Sequence, residues 1–394
     1  MVTYIDIPSA PKRLAYILST PGKRVATGID PAYPTVLLCH AVTACGYYYY
    51  YAQLEDPSLN EHYNLLTIDM PGHGASSLKE PLEGEITWDR IGMLFHEALQ
   101  AFGVKKVHLV GSDMGGQAAL SMALAHPEMV ESLIMLRPNG RPEPEIVAMG
   151  FVEWFALQAE LIESRDLDLI DILVSILLEF VTGQMTNWIL RDICDGLGDL
   201  CKAKFLRGEY EAFHSVFFPL LIASVVPSAE DLTKMDFPTL VIEDVVRMEG
   251  DEDGHDLIPV NEVWAEIVDK LNGLAASRGK RPLAARHTLF GEGVNKFGAV
   301  SRWTALTHPG LITPMIKDFV ENTTTSSLFT NTESPLGRCQ PREPEYPPDF
   351  GDILDVLQES SAASSSQAET KTWADLVSEM QQGEASAVQV EVEN

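Results

Sequence analysis

The chain has 394 residues, 45% of them hydrophobic, and a formal net charge of −29. That length and apolar content suffice for an enzyme-sized globular body. The acidity, with the few Lys and Arg scattered, argues against a grip on nucleic-acid backbone or an anionic membrane surface. In chain order, Thr35–Cys39, Asn64–Ile68, Lys106–Val110 and Ser132–Leu136 are short apolar runs set between glycine turns and helical stretches. This pattern predicts the buried parallel strands of a βαβ series. From about Arg141 to Lys234 helical periodicity takes over, over 143–162, 167–180, 184–197 and 210–223. The strand signal returns at Pro238–Ile242 and Arg286–Phe290, with helices predicted over 260–271 and 310–320. The economical reading is an α/β fold, a doubly wound, mostly parallel sheet whose core spans 1–139 and 236–322, interrupted by a helical lid over 140–235.

Residues 323–394 hold thirteen acidic against three basic residues and are rich in Ser, Thr, Pro and Gln. Such a segment buries too little apolar surface to offset chain entropy, which predicts a disordered acidic tail. Two islands have helical spacing, Phe350/Ile353/Leu354/Leu357 and Trp373/Leu376/Val377/Met380. They offer a protein partner or the body a docking face, although transient helices in a solvated tail are the plainer reading. The longest apolar stretch, Ile170–Val181, contains Asp171, Ser175 and Glu179 and reads as a buried helix, not a membrane span. No signal-peptide pattern opens the sequence, and the five cysteines are odd in number without a CxxC pair. Both point to the cytoplasm.

The sharpest local feature is Gly111-Ser112-Asp113-Met114-Gly115-Gly116. It follows the apolar run Val107–Val110 and opens an alanine-rich helical stretch, Gln117–Ala125. Glycines two before and two after the tip let the backbone turn sharply, and such a strand–turn–helix elbow displays a nucleophile. The tip residue is Asp113, not a serine, and Ser112 one position earlier should point away from the tip direction. Tyr47–Tyr51 form an unbroken run at an expected helix, where at a period of 3.6 only one or two of the five can face a cavity. Aromatic residues in the lid, among them Trp154, Trp188 and Phe213, predict an apolar pocket and a mostly apolar small-molecule ligand.

These segments resemble the α/β-hydrolase superfamily over roughly residues 20–322, with details similar to its fungal members. Pro34–His40 is similar to the strand and oxyanion loop, Asp69–Ser76 to the loop after the next strand, and the elbow, His126-Pro127-Glu128, a helical lid and a late acid loop follow in order. The resemblance places Asp113 at the nucleophile position and the amides of Val42 and Met114 in the oxyanion hole, with His40 lining that loop. Asp253 best matches the acid, with Asp244, Asp251 and Asp256 as competitors. The base position lacks a histidine: one alignment puts Arg302 there, ahead of His308-Pro309, and another puts Val294 or Asn295 there. His308 is the nearest histidine to the expected base. The substrate pocket is expected to include Ser112, Arg302 and His40.

An aspartate at the tip implies the epoxide-hydrolase and dehalogenase branches, in which a carboxylate attacks an sp3 carbon and a histidine-activated water cleaves the resulting ester. Departures from those branches are Met114 where tryptophan is usual, His40-Ala41-Val42-Thr43 for the oxyanion loop, and Tyr210 as the lone lid tyrosine. The expected activity is ester or epoxide hydrolysis of an apolar small molecule. The alternative is a non-hydrolytic enzyme of secondary metabolism, of lyase, isomerase or cyclase type, or an inactive binding protein on the same fold. No histidine pair has metal-ligand spacing and no glycine loop is built for phosphate, so no cofactor and no metal are expected.

Overall fold

The computed structural model describes residues 3–9, 13–41, 43–76, 78, 86–138, 145–182, 188–209, 212–213, 215–216, 220, 225–247, 256–258, 262–292, 303–323 and 332–335. Its strands are β1 (Thr3–Asp6), β2 (Arg13–Ser19), β3 (Thr35–Cys39), β4 (Asn64–Ile68), β5 (Val107–Ser112), β6 (Val130–Leu136), β7 (Thr239–Arg247), β8 (Asp256–Ile258), β9 (Ala284–Glu292) and β10 (Thr332–Pro335). They form one sheet in the order β1-β2-β4-β3-β5-β6-β7-β9-β10, with β8 pairing with β7. The pairings from β4 through β3, β5, β6, β7 and β9 to β10 are parallel. An antiparallel hairpin of β1 and β2 closes the first edge against β4.

Every residue of β3, β4 and β5 is buried. Strands covered by helices on both faces have no solvent side to alternate with, which is why the sequence there is a continuous apolar run. The helices are α1 (Gly46–Leu54), α2 (Pro57–Asn60), α3 (Trp88–Ala101), α4 (Met114–Ala125), α5 (Glu145–Ser164), α6 (Asp168–Thr182), α7 (Trp188–Leu206), α8 (Ala229–Lys234), α9 (Glu262–Ser277), α10 (Thr304–Thr307) and α11 (Pro309–Glu321). Helix α3 starts on Thr87, whose side chain accepts from the Arg90 amide, and buries Trp88, Ile91, Leu94, Phe95, Ala98 and Leu99. It crosses α4 closely at Gly92, where an added Cβ would lie 2.7 Å from the Met122 nitrogen. Helix α4, between the sheet and α3, is buried from Met114 through Ala123 and so carries almost no polar face.

Between β6 and β7 the chain is helical. Trp154 of α5 donates to the Leu173 carbonyl of α6 at 3.2 Å, and Lys202 of α7 pairs with Asp171 of α6 at 2.6 Å. Among the described residues no helix is long and apolar enough to cross a membrane.

Two features depart from the sequence reading. Thr332–Pro335, within the segment expected to be disordered, pairs in parallel with His287–Phe290 of β9. Such an edge strand is held through its backbone, so its composition need not be apolar. Strand β7 runs five residues past Ile242, because β9 matches it through Glu292 and β8 returns against it. In α1, Tyr48, Tyr49, Tyr50 and Tyr51 are all buried, since the helix is kinked at Tyr50 (φ −111, ψ 17) and lies against both the sheet and α10. The two helical islands of the tail lie outside the described residues.

Candidate active site

The turn between β5 and α4 has the geometry of an elbow. Asp113 has φ 51 and ψ −121, a conformation that costs a non-glycine residue about 1–3 kcal/mol and persists only where the surroundings enforce it. Its amide donates to the Leu136 carbonyl at 2.9 Å, tying the tip to β6, and its carbonyl accepts from the Gly116 amide at 2.9 Å. The flanking glycines are steric requirements. A Cβ on Gly111 would lie 2.6 Å from the Gly115 carbonyl oxygen, and one on Gly115 would lie 2.3 Å from the carbonyl oxygens of both Cys39 and His40. The end of β3 is thus pressed onto the first turn of α4. Asp113 is 6% exposed, and its side chain is not used to cap α4. The Met114 amide sits at the positive end of that helix.

Ser112, the last residue of β5, is fully buried, and its hydroxyl is hydrogen-bonded to the Tyr49 hydroxyl of α1. A strand side chain one residue before the tip points to the opposite face. That orients Ser112 into the packing between β5 and α1, away from the position Asp113 occupies.

His40, just after β3, is also fully buried. Its Nδ1 lies 2.7 Å from the Ala41 carbonyl and its Nε2 accepts from the Met70 amide at 3.0 Å. This fixes the neutral Nδ1–H tautomer, and burial lowers the imidazole pKa despite the opposing pull of Asp69. His40 therefore staples the loop after β3 to the loop after β4. His73 packs beside it with ring centroids 5.6 Å apart, and its Nδ1 lies 3.0 Å from the Pro71 carbonyl. Burial holds its pKa well below the usual value, and His40 pushes the same way. Asp69 organises that second loop by accepting from the amides of Gly46 and Ala75, each at 2.8 Å. The helical segment between β6 and β7 reaches the same place: Lys204 of α7, 4% exposed, donates to the Gly72 carbonyl, and Phe213 meets His73 edge-on with centroids 5.2 Å apart. Burial lowers the Lys204 pKa, with Cys201 and Asp69 opposing.

A family model described as the alpha/beta hydrolase fold matches residues 34–167, the stretch from β3 through the elbow to just past α5. RutD of Agrobacterium fabrum is 27% identical over 139 residues, 35% of this chain and 49% of that protein. Pimeloyl-(acyl-carrier protein) methyl ester esterase of Aeromonas hydrophila is 35% identical over 78 residues, 20% of this chain and 28% of that enzyme. The match thus spans about half or less of the length of these curated relatives. The solved structure of a 2-hydroxy-6-oxo-6-phenylhexa-2,4-dienoate hydrolase from Rhodococcus superposes with a TM-score of 0.54 at 17% identity, covering 82% of this chain and 100% of its own. The chain is an α/β-hydrolase-fold protein.

The resemblance places the remaining catalytic groups in the loops after the late strands. Val42, Asp253 and Arg302, assigned by resemblance to the oxyanion hole, the acid and the base slot, lie outside the described residues, as do Asp251, Val294 and Asn295. Asp244 falls inside β7, paired in register with Leu289, and not in a loop; Asp256 opens β8. His308 joins α10 to α11, and its Nδ1 lies 2.9 Å from the Thr307 hydroxyl. Trp303, next to the base slot, is buried and packs edge-on against Tyr49 with centroids 5.6 Å apart. His287 faces Thr332 on the edge strand, His108 shares a hydrogen bond with Ser132 at 2.8 Å, and His96 stacks on His126, so these imidazoles are engaged away from the elbow.

Sequence reasoning passed over an ion pair between a buried glutamate on β7 and a half-buried arginine on β9. Glu243, 4% exposed, has a carboxylate oxygen 3.7 Å from the Arg286 guanidinium. Parallel pairing aligns Val241 with Arg286, so Glu243, two residues on, shares the face of that arginine. Only the strand register brings them together, which a linear reading does not supply. Among the described residues no three His, Cys, Asp or Glu side chains are grouped to hold a metal ion.

Proposed function

We propose that this protein is a hydrolase of apolar small molecules, ester or epoxide, in which Asp113 is the attacking carboxylate. The observation that carries the reading is the elbow itself. The strained tip position is occupied by a carboxylate, while the neighbouring hydroxyl of Ser112 is buried against Tyr49. A carboxylate oxygen at the tip attacks a saturated carbon; the bond to the leaving oxygen breaks, that oxygen takes a proton, and an ester of Asp113 remains. The amides of Met114 and Val42 are the donors for the oxyanion that forms when water cleaves this ester, and preorganised donors of this kind are worth about 3–4 kcal/mol each in other hydrolases. His308, oriented by Asp253, is assigned the activation of that water. Cys39, Cys45 and Cys201 are free, which supports a cytoplasmic setting.

A second reading is a non-hydrolytic enzyme of secondary metabolism or a binding protein on the same fold. It is favoured by His40, the imidazole beside the oxyanion loop, having both ring nitrogens committed to Ala41 and Met70. With His40 held in place and Arg302 in the base slot, release of the ester falls to a histidine from outside the usual position, His308 being the nearest to it.

The test is intact-protein mass spectrometry after incubation with a panel of epoxides, alkyl halides, aryl esters and a fluorophosphonate, comparing wild type with Asp113→Ala and Ser112→Ala. An adduct or turnover lost in Asp113→Ala and kept in Ser112→Ala supports an aspartate nucleophile. Loss only in Ser112→Ala makes the protein a serine hydrolase. No adduct and no turnover across the panel moves the assignment to the second reading.

A further inference from the structure

The residues beside the two reactive positions converge on one helix face. Ser112 immediately precedes Asp113, and Trp303 immediately follows Arg302 of the base slot. Tyr49 meets both: its hydroxyl is bonded to Ser112 Oγ, and its ring stands edge-on to Trp303 at 5.6 Å with the planes at 76°. One turn along α1, Gln53 donates to the Ala305 carbonyl at 2.9 Å and to the Thr313 hydroxyl at 3.2 Å. Tyr49 and Gln53 are both fully buried. Tyr50 braces this arrangement: its ring packs edge-on to Tyr49 with centroids 4.7 Å apart, and its hydroxyl donates to the Cys39 carbonyl at 3.0 Å.

We propose that Tyr49 and Gln53 are positioning residues that make α1 a spacer, fixing the distance between the elbow carboxylate and the Trp303–Thr307 segment. A tyrosine serving only to fill volume has no need of its hydroxyl, and burying one without a partner is costly. Here the hydroxyl is spent on the residue next to the reactive carboxylate. Gln53 uses its amide in the same way, on a backbone carbonyl two residues past Trp303. Tyr49 and Gln53 stand on either side of the kink at Tyr50, so the two grips come from one short helical segment whose bend is itself held by Tyr50 on the Cys39 carbonyl. Reacting groups must be held within a few tenths of an ångström, and a displacement of about 1 Å can cost about 100-fold in rate.

The placement itself does not depend on the chemistry proposed above; its effect on turnover does, and the experiment separates the two. Amide hydrogen exchange is followed on Tyr49→Phe and Gln53→Met, both conservative enough to fold. Tyr49→Phe keeps the ring on Trp303 and loses the tie to Ser112, so exchange at 112–116 accelerates about tenfold while 303–307 is unchanged. Gln53→Met produces the reverse pattern. Equal acceleration throughout the chain, or none in either segment, overturns the spacer. With any substrate found in the probe panel, each variant lowers kcat between about 10- and 100-fold and leaves KM within about twofold. Unchanged kcat beside the expected exchange pattern overturns the positioning role. Absence of turnover in wild type refutes the hydrolase reading and leaves the exchange pattern to decide the spacer.

Discussion

Gly115 and Gly116 are adjacent and chemically identical, yet the structure assigns them opposite responses to alanine. A Cβ on Gly115 would stand 2.3 Å from the carbonyl oxygens of Cys39 and His40, whereas one on Gly116 meets nothing closer than 3.5 Å. Carbon and oxygen rest at about 3.3 Å or more, so Gly115→Ala must separate α4 from the end of β3 by about 1 Å. Both obstructing atoms are backbone, at the last residue of a fully buried strand and the residue after it, and cannot swing aside. Overpacking of this kind costs about 2–3 kcal/mol, which lowers the Tm of a body this size by about 3–5 °C. The same shift moves the Met114 amide away from the loop after β3, so on the proposed chemistry hydrolysis of the Asp113 ester slows by about 100-fold and the adduct accumulates. Gly116→Ala instead gains about 0.5–1 kcal/mol from helix propensity and raises the Tm slightly. Thermal melts followed by circular dichroism, with mass spectrometry for the adduct, check both. Equal Tm values for the two variants would refute the close approach of α4 to β3.

Three further outcomes follow from buried groups. Asp113→Gly relieves the positive φ of 51 and raises stability by about 1 kcal/mol while abolishing any adduct, so a Tm equal to or below wild type contradicts a strained tip. Burial pushes the His108 pKa down to about 4 from 6.5. The imidazole is then neutral when folded and protonated when unfolded between those values, so stability rises with pH through that window and is flat above it. The ceiling is about 3 kcal/mol, and His108→Gln, which keeps a partner for Ser132, should flatten the Tm profile between pH 4.5 and 6.5. Lys204→Ala removes the donor to the Gly72 carbonyl and costs about 1–3 kcal/mol at the lid contact. Limited proteolysis within 188–209 should therefore accelerate more than cleavage of the sheet.

What could be read from the sequence was decided by how the segments are buried. Strands β3 and β4 match their expected ends residue for residue, because complete burial on both faces leaves an unbroken apolar run bounded by turns. The hairpin of β1 and β2 left no such mark. Thr3–Asp6 is half-buried at an edge, and backbone pairing defines it more than its side chains do. The end of β7 was misplaced for a related reason. Glu243-Asp244-Val245-Val246-Arg247 reads as a loop when polarity is weighed, but β8 and β9 supply partners on both sides. Extending the strand carries Asp244 out of the acid loop and puts Glu243 on the face of Arg286, so a pattern of charges along the chain became an ion pair across the sheet.

The candidate site divides along the same line. The elbow was legible because its constraint is local: glycines at fixed offsets between a buried strand and a helix specify the turn, and the tip residue follows from counting. Five consecutive tyrosines carry no such information, since any helical phase presents a phenol to each face. The kink at Tyr50 breaks that equivalence. It lets Tyr50 reach the Cys39 carbonyl while Tyr49 reaches Ser112 and Trp303, so neighbouring tyrosines bond to the ends of two adjacent strands. The roles of these phenols are set by where β3, β5 and α10 converge, a tertiary fact with no counterpart in residue spacing. On this view the tyrosine run is a packing element whose individual hydroxyls have been given separate structural duties. The hydroxyl of Tyr49 is the one whose removal should be felt at Asp113.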